Sequence, residues 1–342
     1  MPGPSPDHSR LLEPVNNANL LSEIEDSDIA NELREFESED DVDGFVKKTL
    51  GISFWIAFGF FMLVAVAAIL APYITETPKS GQDPVSPTHT VVSILQHPNT
   101  QTNRREPGGG LYQLPSQYHW LGTDNLGRDQ LSRLVWGGRV SLPVGFASIA
   151  LGLLIGTTVG LLAGYLKGKV DSISMSFMDI ILAFPPILLA LSIITFTGQK
   201  DIPHISLAIG IVAVPAIARL VRANTLTYRE REFVLASRTL GAGHGRIVGR
   251  EILPNVVPPV ISFAVIGVAV AITAESALAF IGVTVPLPTA TWGGMIQQAA
   301  TTLTEHPFQV FVPCTLLVLI ILSMYFVGDR LRQFLDVRDG AL

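Results

Sequence analysis

The sequence predicts an all-α polytopic membrane protein with six transmembrane helices. Hydrophobic residues make up 48% of the 342 residues and charged residues only 15%, which is too apolar for an ordinary soluble domain. Crossing a hydrocarbon core of roughly 30 Å takes about 20 helical residues, and six apolar runs are long enough. These runs lie at 49–74, 140–165, 174–197, 202–222, 256–282 and 308–328. An even number of spans places both termini on the same side of the membrane.

The distribution of lysine and arginine predicts that both termini are cytoplasmic (N-in, C-in). With that orientation 16 of the 23 basic residues are cytoplasmic and 7 are outside. Six of those 7 lie in the long segment 74–139, where the charge rule has little weight. The predicted order is a cytoplasmic tail (1–48), the first span (49–74), an outer segment (75–139), a five-helix core (140–328) and a cytoplasmic C-terminus (329–342).

The N-terminal tail carries most of the negative charge of the chain. Thirteen acidic and two basic residues give residues 1–44 a charge of −11, which leaves +5 for the rest of a chain of net charge −6. A polar segment with this charge cannot bury enough apolar surface to fold alone. We therefore expect the tail to be largely disordered.

The outer segment 75–139 divides into two parts. The first is rich in Pro, Gly, Ser and Thr, which is typical of an extended loop. The second, residues 119–145, alternates polar and apolar residues at helical spacing, which predicts an interfacial helix leading into the second span. The predicted apolar face comprises Leu126, Leu131, Leu134 and Val135, with Trp120 and Trp136 at the water boundary.

Cysteine and histidine usage argues against a disulfide framework or a metal site. The chain has one cysteine, Cys314, which lies within an apolar run. Its seven histidines are scattered over loops and tail. No metal is predicted.

Residues 223–255 form the one cytoplasmic segment between spans that is large enough to be a working part. Good helix formers run from Tyr228 to Leu240 and are followed by "GAGHG", whose three glycines end the helix. The next stretch, "RIVGREIL", can start a second short helix before the fifth span, which would carry Pro258 and Pro259 in its first turn. A helix pair fixed at both ends to spans would transmit movement to them. Its arginines alone would indicate only topology.

This segment resembles the coupling loop of the permeases of ABC importers. The family pattern is Glu-Ala-Ala, three residues, Gly, and then about ten residues to Leu-Pro. Here the triplet is Leu235-Ala236-Ser237, the glycine is Gly241 and the end is Leu253-Pro254, with Leu235 in place of the glutamate and Ser237 in place of the second alanine.

Three further stretches resemble the permeases of dipeptide, oligopeptide and nickel importers. They are "LGTDNLGRDQLSRLVWGGRVSL" (121–142), "MDIILAFPPILLAL" (178–191) and "AESALAFIGVTVPLPTATWGGMI" (274–296). The resemblance covers about residues 118–340 and is closest to the second, C-type subunit of a heterodimeric pore. It implies the type I ABC-importer permease fold in a prokaryotic cytoplasmic (inner) membrane.

The resemblance also implies the partners. A homologous permease subunit would complete the pore, two cytoplasmic ABC ATPase subunits or domains would grip the coupling helices, and an extracytoplasmic binding protein would deliver substrate. ATP and Mg²⁺ would be bound by the ATPases, so this chain binds no cofactor and is not an enzyme. Its nearest approach to a phosphate-binding loop, "GYLKGKVDS", has Ala163 in place of the first glycine and Val170 in place of the Ser or Thr. No nucleic-acid partner is expected.

Three groups of residues are candidates for functional roles. The predicted ATPase-coupling residues are Leu235, Ala236, Ser237, Arg238, Leu240, Gly241, Ala242, Gly243 and Arg246. Asp124, Arg128 and Asp129 are predicted to contact a partner on the outer face, or else to form a local ion-paired turn. The predicted gating or pore residues are Asp179, Pro185, Pro186 and Glu275.

Charged groups inside apolar spans are costly, which marks Asp179 and Glu275 as functional candidates. The structural alternative for Asp179 is an ion pair with Lys169 or with an arginine at the base of the fourth span. Glu275 could instead face the subunit interface. Pro185 and Pro186 are expected to kink the third span and to serve as a flexing point.

The sequence therefore predicts a permease subunit of an ATP-driven importer that forms half of a pore for di- or oligopeptides. The same machinery could import nickel chelates or haem, because selectivity rests largely with the binding protein. One competing class is an ion-coupled secondary transporter that uses Glu275, which would show inverted repeats; no internal repeat is evident. Another is a membrane anchor or sensor whose acidic tail is its binding arm.

Overall fold

The computed structural model describes residues 51–74, 111–116 and 119–339, with side chains as far as Leu335. The predicted tail 1–48 and most of the predicted extended loop lie outside these residues. The described part of the chain is helical, with a single isolated β-bridge between Thr123 and Asp129.

Nine helices follow one another along the described chain. They are α1 (Gly51–Ile74), α2 (Gln130–Leu166), α3 (Gly168–Leu182), α4 (Pro186–Thr197), α5 (Ile202–Arg229), α6 (Glu232–Thr239), α7 (His244–Phe280), α8 (Trp292–Ala300) and α9 (Pro307–Asp339). Among the described residues, five helices are long and apolar enough to cross a membrane, and α3 with α4 makes a sixth span if the bent pair counts as one. The predicted all-α polytopic class is confirmed.

The third span is broken rather than kinked. The axes of α3 and α4 meet at 88°. The helix ends at Leu182 because a residue that precedes proline is disfavoured in the α conformation, and two prolines follow each other here. Pro186 then occupies the first turn of α4, where its missing N–H is not needed.

The predicted interfacial helix is not a separate element. Residues 119–129 form turns closed by the bridge between Thr123 and Asp129, and the helical residues that follow are the first turns of α2. Asp129 starts α2 because its extended backbone lets the carboxylate accept from Ser132 N at 2.7 Å. Leu126 therefore lies exposed on a turn, whereas Leu134 is buried in α2.

The second short helix predicted after the glycine-rich turn is also part of a span. It is continuous with α7, and Pro258 and Pro259 lie well inside that helix. A π-helical turn, Ile247–Ile252, precedes Pro254. The ring of a proline clashes with the carbonyl four residues earlier in a regular α-helix, and the wider turn relieves this clash.

The tightest helix contact joins α2 to α5. Gly152, Gly156, Gly160 and Gly164 recur every fourth residue and lie against α5. A Cβ atom on Gly160 would lie 2.5 Å from the carbonyl oxygen of Ala218 and 2.7 Å from Cβ of Val221. Small residues at such spacing let two backbones touch inside a membrane, where packing drives helix association. The helices α2 and α5 therefore form a closely packed pair, and α5 leads directly into α6.

Candidate coupling site

The short helix α6 projects from the predicted cytoplasmic end of the helix bundle. Two residues, Glu230 and Arg231, join it to α5, and the turn 240–243 joins it to α7. Val234 alone among its residues is fully buried, in an apolar cluster that includes Tyr165 and Ile247. One apolar anchor thus fixes a helix whose remaining surface is largely exposed.

Phe233, Ala236, Ser237 and Leu240 recur at helical spacing along α6 and its C-terminal cap, and this stripe faces outward. Phe233 and Ala236 are exposed, Ser237 is half-buried, and Leu240 is 87% exposed. Exposed aromatic and arginine side chains, such as Phe233 and Arg238 here, are enriched in surfaces that other proteins cover. The sequence pattern alone did not indicate that Val234, rather than this stripe, packs against the spans.

The glycine turn has the geometry of a helix C-terminal cap. Gly241 has φ +81°, a conformation that costs a residue with a Cβ about 1–2 kcal/mol. Its N–H donates to the carbonyl of Arg238, and the N–H of Ala242 donates to that of Ser237. Gly243 is extended and caps the start of α7, where its carbonyl accepts from the N–H groups of Arg246 and Ile247.

Charged side chains surround the turn. Arg238 and Arg246 are exposed and form no ion pair with a described residue. Glu230, just before α6, accepts from Nζ of Lys167 at 2.7 Å, and this hydrogen bond lowers the pKa of the Glu230 carboxyl. The two arginines therefore present positive charge to an approaching acidic surface.

Residues Asp124, Arg128 and Asp129 are held within the chain rather than presented outward. Asp124 accepts from Nε of Arg128 at 2.7 Å, and Arg128 reaches Gln298 on α8 at 2.7 Å. Asp129 caps α2 and lies 3.1 Å from Nδ1 of His119. Arg128 is 3% exposed and Asp129 4%, which favours the alternative of a local ion-paired turn over a contact with a partner on the outer face. They form the local ion-paired turn that was the alternative.

We expect Asp124→Asn to lower the stability of the permease by about 2 kcal/mol, because two cationic partners lose their carboxylate. Besides Arg128, the carboxylate lies 3.5 Å from Nε of the buried Arg133. Thermal unfolding of the purified subunit in detergent measures the loss. The matched control is Glu305→Gln, which changes an exposed acid that forms no ion pair with a described residue. Equal effects of the two variants would contradict the structural role of Asp124.

Asp179 lies on α3 and forms an ion pair with Arg219 of α5, one of the partners that the sequence suggested. A second pair, Asp171 with Arg222, joins the same helices through two hydrogen bonds. No feature of the sequence pattern had indicated this second pair. Both pairs attach the first half of the broken third span to α5.

Glu275 faces the interior of its own chain. The side chain is 1% exposed and accepts from Oγ of Ser141 on α2 at 2.9 Å. The hydroxyls of Ser276 and Thr284 lie 3.5 Å from its carboxylate oxygens. This burial does not fit the structural alternative that Glu275 faces the subunit interface. The carboxylate instead joins α2, α7 and the loop before α8. The predicted role of Glu275 in gating stays a prediction.

Comparison with known proteins places this architecture in a family. The model of the family "binding-protein-dependent transport system inner membrane component" matches residues 156–338. The dipeptide transport system permease protein DppC of Alkalihalophilus pseudofirmus is 40% identical over 222 residues, which cover 65% of this chain and 73% of that protein. The glutathione transport system permease protein GsiD of Pectobacterium atrosepticum is 38% identical over 222 residues, with the same shares covered.

A solved structure shares the fold. A chain of the MetNI methionine ABC transporter, solved in inward-facing conformations, matches with a TM-score of 0.51 and 23% identity. The match covers 60% of this chain and 95% of that one. Since the family model spans more than half of the sequence and these relatives are similar over most of their length, the chain belongs to the family of inner membrane components of binding-protein-dependent transport systems.

Proposed function

We propose that this chain is the permease subunit of an ATP-driven peptide importer and that α6 is its coupling helix. In this proposal it forms half of the translocation pore, and a homologous permease subunit forms the other half. Two ABC ATPase subunits bind on the cytoplasmic side, and a substrate-binding protein binds outside. The names of the dipeptide and glutathione permeases to which the chain is similar support peptides as the substrate class.

The observation that carries the proposal is the exposed helix α6 between two spans. Its surface offers the apolar Phe233 and Leu240, the small Ala236 and Ser237, and the positive charge of Arg238. Small side chains let a partner backbone approach closely, and the arginine complements acidic groups on that partner. We expect an ATPase subunit to bind the permease through this surface.

The short connections of α6 explain how movement of a bound ATPase subunit would displace the helices that form the pore. Two residues separate α6 from α5 and four separate it from α7, so there is no slack to absorb a displacement. The helix α5 packs backbone to backbone on α2 and forms ion pairs with α3. A displacement of α6 is therefore shared among at least four helices.

Energy conversion in this scheme belongs to the ATPase subunits. ATP and Mg²⁺ are bound there, and this chain holds no cofactor and carries out no covalent chemistry. Its own contribution is mechanical. Its coupling surface binds the ATPase, and the closely packed α2–α5 pair and the broken span move with it.

Reconstitution of the complete complex tests this function. The chain is combined in liposomes with its partner permease, the ATPases and the binding protein, and uptake of a labelled dipeptide and a labelled pentapeptide is measured. We expect uptake that requires hydrolysable ATP and the binding protein. A nickel chelate and haem are compared in the same assay, and import of either without import of peptides would contradict the substrate class. Uptake by this chain alone under a proton gradient would contradict the ATP-driven mechanism.

A further inference from the structure

The end of α2 contacts the chain on both sides of the coupling helix. Tyr165, the penultimate residue of α2, is 4% exposed, and its hydroxyl lies 2.8 Å from Nδ1 of His244, the first residue of α7. The same ring lies 5.8 Å from the guanidinium of Arg229, the last residue of α5. Tyr165 thus contacts the chain on both sides of α6: the last residue of α5 before it and the first residue of α7 after it.

The bond to His244 is the specific part of this contact. A buried tyrosine hydroxyl needs a hydrogen-bond partner, and the imidazole of His244 provides one from an otherwise exposed side chain. The phenol donates when Nδ1 carries no proton. The rings also meet edge to face, with centroids 5.6 Å apart. Both interactions fix the start of α7 against the end of α2.

Tyr165 also belongs to the buried cluster that receives the anchor of the coupling helix. Val234, Ile247 and Ile252 lie in this cluster with it. A second contact, between Lys167 and Glu230, lies on the surface, where such pairs contribute little. The buried tyrosine is therefore the stronger connection between α2 and the coupling loop.

A sharp corner follows Tyr165 and leads into the broken span. Helix α2 ends at Leu166, and α3 begins at Gly168. Lys167 between them has φ +57°, a conformation that side-chain-bearing residues rarely adopt and that stores strain of about 1–3 kcal/mol. With a single residue as connection, a shift of the end of α2 must also shift the start of α3.

We propose that Tyr165, through its hydrogen bond to His244, is a positioning residue that passes movement of the coupling helix to the corner at Lys167 and so to the broken third span. The inference rests on the proposed function, because it assigns the residues through which ATPase movement reaches the pore. Tyr165 is buried away from the surface that we assign to ATPase docking, whereas the exposed His244 lies at its edge, between Gly243 and Arg246. Tyr165→Phe is therefore the primary test.

Tyr165→Phe tests the inference in the complete reconstituted complex, because it removes the hydroxyl and keeps the ring. We expect the amount of peptide imported per ATP hydrolysed to fall about fivefold, the effect of losing one net hydrogen bond. The ATPase rate and the yield of assembled complex should stay within about twofold of the parent. A residue that only stabilised the fold would reduce assembly and leave this ratio unchanged.

Variants of His244 complete the test. His244→Ala should lower the ratio like Tyr165→Phe, and the double variant should be no worse than either single change, because both remove one bond. His244→Asn, which keeps a polar group near the position of Nδ1, should retain most of the coupling. The matched control is Tyr325→Phe, which removes the hydroxyl of a half-exposed tyrosine on α9 and should change nothing.

The outcomes separate this inference from the proposed function. If the parent complex shows no ATP-driven peptide uptake, the proposed function is wrong. If the parent complex imports peptides and Tyr165→Phe leaves the ratio unchanged, only the role of Tyr165 is wrong. Additive losses in the double variant would also overturn it, because the two residues would then not act through one bond.

Discussion

Gly241→Trp should strongly reduce ATP-driven uptake while the permease remains inserted and folded. Gly241 lies at the exposed tip of the turn after α6, and a Cβ there would meet nothing within 4 Å. The indole therefore fits within this chain but projects into the space that the proposed ATPase must occupy. Backbone strain adds about 1–2 kcal/mol at φ +81°. We expect uptake to fall at least about tenfold, as each 1.4 kcal/mol of lost docking energy gives a factor of ten.

The control separates lost docking from backbone strain. Gly198, at the end of α4, also has positive φ (+68°) and open space around it, but it lies at the opposite end of the bundle. Gly198→Trp should keep most of the uptake. If both variants lost uptake equally, strain rather than docking would explain the effect of Gly241→Trp. The amount of ATPase that co-purifies with each variant measures ATPase binding independently of uptake.

Gly160→Leu should prevent the folded permease from forming. A Cβ atom at this position would overlap the Ala218 carbonyl oxygen at 2.5 Å, and a leucine adds three further carbons. The α2–α5 pair can accept this side chain only by separating, which we expect to cost at least about 3 kcal/mol. The yield of monodisperse permease in detergent and its thermal unfolding temperature measure the effect.

The matched control for this change is Gly59→Leu. Gly59 lies on α1 and is exposed, and a Cβ atom added there would meet nothing within 4 Å. The same substitution there adds apolar surface toward lipid and should leave the yield near that of the parent. A stable Gly160→Leu permease would show that the close approach of α2 and α5 is not needed for the fold.

Most of the fold that could be predicted from the sequence was predicted from hydrophobic runs and from glycines in turns. Each predicted apolar run corresponds to a helix or helix pair, because a membrane span needs only length and apolar composition. The turn at Gly241 was predictable because glycine-rich stretches end helices. The interfacial helix was predicted wrongly because the cap at Asp129 and the turns before it outweigh the helical periodicity of residues 119–129.

The contacts that define the site could not be predicted in the same way. Ser141 and Glu275 are 134 residues apart in sequence, and Tyr165 and His244 are 79 apart. Hydrophobic periodicity indicates which residues are apolar but not which helices become neighbours. A kink at Pro185 and Pro186 was expected, but the full break with its 88° angle was not, because that angle depends on how α3 and α4 pack against α5.

The most direct test of the coupling mechanism is a site-specific photo-crosslink from Leu240 in the assembled complex. Leu240 is 87% exposed on the proposed coupling surface, and the comparison position is the exposed Phe196 at the far end of α4. We predict that a photoreactive residue at 240 captures an ATPase subunit and that one at 196 does not. Capture of the ATPase from position 196 instead, or of the substrate-binding protein from position 240, would contradict the claim that α6 is the cytoplasmic coupling helix.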